Sequence, residues 1–134
     1  MSEENKALVR RFYEEAMGDL SGIDGVVAAE FVDHHTPPDF PPGPEGVRQW
    51  FTNVLGSVFS DMQIEIDFML AEGDKVACYF ALRAKHTGEF AGIAPKGNDI
   101  LLPAISTFRV EGGKLAEAWE IFDSGVLLEQ MKAE

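Results

Sequence analysis

Glu120 is the carboxylate best placed for acid–base chemistry. It lies in Lys114 to Phe122, which alternates as a strand, and the two-residue period puts it on one face with Ala116, Ala118 and Phe122. Small neighbours leave a void, so that face is assigned to a pocket. A glutamate held there loses hydration, and its pKa climbs towards the range useful for moving protons to and from carbon. Pairing with an arginine, or exposure at a sheet edge, is the alternative role.

Asp33, His34 and His35 form a second polar cluster. Adjacent histidines diverge, and His86 is the one remaining histidine, so a metal centre is disfavoured and no metal ligand is assigned. Pocket lining, an aspartate orienting a histidine, or backbone capping by Asp33 are the roles left open. Tyr13 is either a donor to a carbonyl oxygen or a core aromatic with a satisfied hydroxyl. Trp50, Phe51 and Phe59 read as core or pocket wall. Cys78 reads as a small buried hydrophobe. The segment His86 to Ile93 lacks the spacing of a phosphate loop.

The elements that must position these groups follow from periodicity. Leu8, Val9, Phe12, Tyr13 and Ala16 share one helical face, and Gly18 ends that run. Ile23, Val26 and Val27 suggest a short helix over 21–30. The stretch from Asp33 through Pro44 holds five prolines and cannot be regular structure for long. Pro44 then opens a helix whose stripe is Val47, Trp50, Phe51, Val54, Leu55 and Val58.

The second half changes period. Met62, Ile64, Ile66, Phe68 and Leu70 alternate with polar residues and Met69, predicting a half-buried strand. Strands over 76–86, 100–110 and 114–122 follow, with a hairpin region over 87–98 and a closing helix over 124–131. Val76, Cys78, Phe80, Leu82, Ala84 and His86 form an inner face. Ala77, Tyr79, Ala81, Arg83 and Lys85 form the outer one. Leu115, Glu117, Trp119 and Ile121 lie outside, where a bulky apolar face calls for cover by a partner subunit. Helices followed by antiparallel strands give an α+β domain, a curved antiparallel sheet wrapped around helices to enclose a conical cavity.

The 134 residues fit a single domain, 1–134, and 46% apolar with 25% charged residues is an ordinary globular composition. The net charge of −12 repels phosphate backbones and anionic lipid, so neither nucleic acid nor membrane is expected as a partner. One cysteine excludes an internal disulfide, and no leader or spanning segment is visible. A cytoplasmic protein is expected.

Several stretches resemble the SnoaL-like polyketide cyclases. These are Asn5 to Tyr13, Phe31 to His34, Gly43 to Val47, His86 to Phe90, and Gly113 to Glu120 continuing to Leu128. The resemblance covers nearly the whole chain. It implies a nuclear-transport-factor-two-like (cystatin-like) roll and a homodimer through the outer sheet face, around Tyr79 and Trp119. It also implies ring closure by intramolecular aldol condensation with no cofactor or metal. The family's acid–base aspartate falls on Glu120, and a substrate-positioning asparagine falls on Asp33. Two family histidines fall on Ala118 and Ser106, and His86 matches a third.

Three functions are therefore in play. The first is a cofactor-independent enzyme on a small or medium apolar carbonyl compound. Glu120 and Asp33 are its catalytic groups; Tyr13, His34, His35, Trp50, Phe51, His86, Ser106 and Ala118 contact substrate. The second is a binding domain of the same fold without chemistry. The third is epoxide hydrolysis, which needs a second carboxylate and a nearby arginine; Arg83 and Arg109 fall on the outer set or near a turn.

Overall fold

The computed structural model describes residues 2–18, 20–36 and 39–133. Helix α1 (Ser2–Met17) buries Val9, Phe12, Tyr13 and Ala16, the stripe expected of it. Strand β1 (Val27–Asp33) follows, then α2 (Pro44–Gln49), a π-helical stretch (Trp50–Leu55) and a last turn, α3 (Gly56–Val58). Four long strands come next: β2 (Phe59–Glu72), β3 (Lys75–His86), β4 (Asp99–Glu111) and β5 (Lys114–Phe122). Helix α4 (Ser124–Lys132) closes the described chain, its first turn capped by the Asp123 carboxylate accepting from the Val126 N–H at 3.1 Å.

The five strands form one open sheet in the order β1-β5-β4-β3-β2. Neighbours among β2 to β5 are antiparallel, while β1 pairs with β5 in parallel, which makes the sheet mixed.

The helix expected over 21–30 is not formed. A single 3₁₀ turn, Ile23–Gly25, gives way to β1. Gly22 and Gly25 weaken a helix there, whereas Val26, Val27, Phe31 and Val32 suit a strand that finds β5 as its partner. That pairing is long-range, so periodicity over ten residues does not reveal it.

Bulges in β2 and β5 reverse the side-chain parity around them, and β2 carries a further register shift between Ser60 and Gln63. In β2, Ile66 faces Phe80 and Phe68 faces Tyr79, which leaves Asp67 as an extra residue. Beyond it Met69 turns into the core, and Phe68 and Leu70 point out, at 52% and 65% exposure. In β5, Arg109 faces Glu117 and Val110 faces Leu115, so Ala116 is the extra residue. Leu115 is consequently fully buried rather than on the outer face, while Ala118 keeps its inward direction.

Two core clusters lie against the sheet. One gathers Val9, Phe12 and Tyr13 of α1 with Phe80, Ala104, Phe108, Leu115 and Ala118. The other gathers Val58 and Phe59 with Leu82, Leu102, Leu127 and Met131. Gln130 clips α4 onto β4: its amide accepts from the Leu101 N–H and donates to the Leu101 carbonyl, both at 2.8 Å. Gly43, at φ +80° with its N–H on the Phe31 carbonyl at 2.9 Å, starts α2 against β1. A Cβ there would meet the Ala29 carbonyl oxygen at 2.4 Å, so only glycine fits.

Candidate active site

A cavity of about 140 Å³ opens between the two clusters and takes its walls from both. Alternation along β4 and β5 turns Ala104, Ser106 and Phe108 inward opposite Phe122, Glu120 and Ala118, with Leu102 inward beyond the end of that ladder. The π-helical stretch contributes Trp50, Phe51, Val54 and Leu55 from the other side. A π segment lodges an extra residue in a helix, a device common at functional sites. Alanine and serine at 104, 106 and 118 keep the space open, and empty space of this size costs on the order of 3 kcal/mol relative to a filled core.

The polar groups of this apolar chamber are Asp33, His35, Glu120, Tyr13 and Ser106. Tyr13 Oη and Ser106 Oγ are 2.7 Å apart and buried. Two hydroxyls joined by one hydrogen bond use one of their two protons, so the other is free for a ligand whichever donates. Burial above all, with the field of Glu120 second, holds the Tyr13 hydroxyl well above its usual pKa of 10, so it remains a neutral donor. Ser106 stands directly across the β4–β5 ladder from Glu120.

Glu120 is 21% exposed at its side chain. Burial pushes its carboxyl pKa up; the field of His35 opposes the rise and that of Asp33 adds to it. His35 Nε2 lies 3.4 Å from Glu120 Oε2 and has no hydrogen-bond partner among the described residues. The other ring nitrogen, Nδ1, donates to Asp33 Oδ1, which also accepts the His35 backbone N–H at 3.2 Å. Burial pulls the His35 pKa down, but the bond to Asp33 and the charges of Glu120 and Asp33 lift it above the ordinary value.

Placement of the expected residues divides them. Glu120, Asp33, Tyr13, His35, Trp50, Phe51, Ser106 and Ala118 all face the cavity. His34 does not: its N–H bonds the Ala118 carbonyl at 2.9 Å, and its ring stacks on Trp119 and donates to Glu117 at 2.6 Å on the opposite side of β5. His86 does not line the cavity either. It points inward at the far end of β3, fully buried, and neither ring nitrogen finds a partner among the described residues. The β3 alternation assigned its face correctly; what it could not show was that this end of β3 lies outside the cavity lining.

Arg83 and Arg109 stand outside, on Glu65 and on Glu117 with Glu111, so neither brings a guanidinium to Asp33. Cys78 is fully buried, and loss of hydration raises its thiol to about 11, which keeps it unreactive. The inward residues of β4 escaped sequence analysis apart from Ser106, although the same two-residue period would have found Leu102, Ala104 and Phe108.

Against known proteins, the family model for SnoaL-like polyketide cyclases matches residues 7–131. Among solved structures, IdmH of Streptomyces antibioticus, a candidate polyketide cyclase, is 26% identical, with 96% of this chain and 99% of that one covered and a TM-score of 0.82. TsrD of Streptomyces laurentii is 24% identical, with 100% and 98% covered and a TM-score of 0.86. AclR of Streptomyces galilaeus, a candidate hydroxylase, is 27% identical, with 98% and 82% covered and a TM-score of 0.79. No curated protein gives a significant match.

Proposed function

The chain belongs to the SnoaL-like polyketide cyclase family, and from that premise we propose a cofactor-independent acid–base enzyme acting on a small or medium apolar carbonyl compound. Intramolecular aldol ring closure is the favoured reaction, with double-bond isomerisation as its close relative. The observation that carries this reading is Glu120, the carboxylate that β5 directs into a greasy chamber and whose pKa burial shifts upward there. Its ionised form takes a proton from the carbon beside the carbonyl. The Tyr13–Ser106 hydroxyl pair supplies the free proton that binds the carbonyl oxygen, and it stabilises the negative charge that gathers there. The enolate carbon attacks a second carbonyl of the same molecule, and Glu120 returns its proton to the new alkoxide. Protons and charge balance without a metal or redox partner.

The experiment is Glu120→Gln, followed by turnover and by exchange of the substrate's α-hydrogens in D₂O. The fold and ligand binding are retained while both rates fall by about 10²–10⁴-fold. Survival of turnover would remove the mechanism. A binding domain without chemistry is the second reading, favoured by the chiefly apolar lining. It predicts no exchange even in the unmodified protein, with ligand binding unaffected by Glu120→Gln.

The outer sheet face is proposed to pair two copies of this chain. Ile121, Ile105 and Val32 are exposed there beside Trp119, an apolar surface of the kind a partner covers. Ile121→Lys should shift sedimentation from dimer to monomer; an unmodified protein that sediments as a monomer refutes the pairing.

A further inference from the structure

The aldol step leaves one arrangement in the cavity unused. Asp33 accepts twice from His35, through the backbone N–H and through Nδ1. A carboxylate that only accepts fixes the ring proton on Nδ1 and turns Nε2 towards Glu120. The edge of Trp50 packs on the imidazole, with centroids 5.1 Å apart and planes at 77°, which restrains its rotation. Both side chains are mostly buried, at 16% and 21% exposure, so the 3.4 Å between Nε2 and Oε2 is spanned in a weakly hydrated space. Two proton-carrying groups thus stand side by side on one wall, one suited to accept from carbon and the other able to donate.

We propose that His35 is a second catalytic acid, and that the Glu120–His35 pair eliminates water from a β-hydroxy carbonyl compound, the class of compound an aldol addition makes. The inference rests on the acid–base role of Glu120 proposed above and extends it to a second reaction. The Glu120 carboxylate takes the α-proton, and the C–H electron pair becomes the α,β double bond. The bond from the β-carbon to oxygen breaks as Nε2 of protonated His35 gives its proton to that oxygen, which leaves as water. Glu120 is then protonated and His35 neutral, and a direct transfer from Oε2 to Nε2 restores both. Nothing is oxidised or reduced. Because the two groups share one wall, hydrogen and hydroxyl depart from the same face of the substrate. Asp33 is a positioning residue here, holding the tautomer and supporting the imidazolium.

The test uses 4-hydroxy-4-phenylbutan-2-one as probe, with two readouts on the whole chain. Conjugated enone absorbance reports elimination, and deuterium entering the α-carbon in D₂O reports proton abstraction by Glu120. The unmodified protein is expected to do both, and Glu120→Gln to lose both. His35→Gln should lower the ratio of elimination to exchange by about 10²-fold, the scale of a lost general acid. Asp33→Asn, which keeps the side-chain shape and removes the charge, should lower the same ratio and serves as the second variant should His35→Gln not fold. An unchanged ratio in a folded variant overturns the role of His35. Exchange without enone in the unmodified protein overturns the elimination and leaves the Glu120 reading standing. Absence of exchange overturns both.

Discussion

Strand β5 carries a glutamate on each of its faces, each beside a histidine from just past the end of β1, and the two pairs behave in opposite ways. Outside, Glu117 accepts from Arg109 at 2.8 Å and from His34 at 2.6 Å, and these partners hold its pKa below the usual range. Inside, Glu120 faces His35 at 3.4 Å with no arginine paired to it among the described residues, and burial drives its pKa the other way. The residue types are the same. What differs is the weight of burial against that of a permanent cation, so the environment rather than the side chain decides in which direction each carboxyl is shifted.

The sharpest way to break that contrast is to neutralise each glutamate in turn. Glu120→Gln should cost about 10²–10⁴-fold in turnover, whereas Glu117→Gln should leave kcat within error; equal losses would end the distinction. Next in size is Tyr13→Phe, expected to lower kcat by about 10²-fold with little change in KM, because the donor matters most when charge develops on oxygen. The kcat-against-KM split checks this: a rise in KM alone would make Tyr13 a binding group.

Ala118→Val should narrow the cavity, weaken ligand binding measured by calorimetry, and stabilise the fold by about 0.5–2 kcal/mol. A drop in Tm would mean that the inner face is already close-packed.

Smaller again are the effects on pH-dependent stability, and here the two carboxylates should carry opposite signs. Glu120 has a raised folded pKa, so its contribution is fully present below the ordinary glutamate pKa and is lost as pH rises through the raised one. Glu120→Gln should therefore match the parent in Tm in acid and exceed it at neutral pH. Glu117 has a lowered folded pKa, so its contribution holds above the ordinary value and fades as pH falls through the lowered one. Its removal should cost a little at neutral pH and nothing in strong acid. Thermal melts from pH 3 to pH 8 read both, and slopes of the same sign would refute the contrast.

Much of this architecture was legible from period and punctuation. The α1 stripe, Pro44 as the start of a helix, and the inward set on β3 all come from local rules that tertiary packing reinforces. The direction of Glu120 was legible for the same reason. The failures share a cause of another kind. β1 exists because a distant strand pairs with it, and the bulges at Asp67 and Ala116 are visible only in the register between paired strands. His34 and His35 were indistinguishable in sequence because β1 ends at Asp33, where strict alternation no longer assigns faces. The closeness of His35 to Glu120, 85 positions apart in the chain, had no local signal at all.

The extra residue at Ala116 also makes β5 behave like a reading frame. Upstream of it the strand is in phase with Leu115 and the core; downstream it is in phase with Ala118, Glu120 and the cavity. Deleting that one alanine would leave every functional side chain in the sequence, yet the strand could no longer keep both phases at once. Either Leu115 would surface or Glu120 would swing to the convex side, next to Arg109. In this molecule a count of residues, and not only their identity, is therefore under functional constraint.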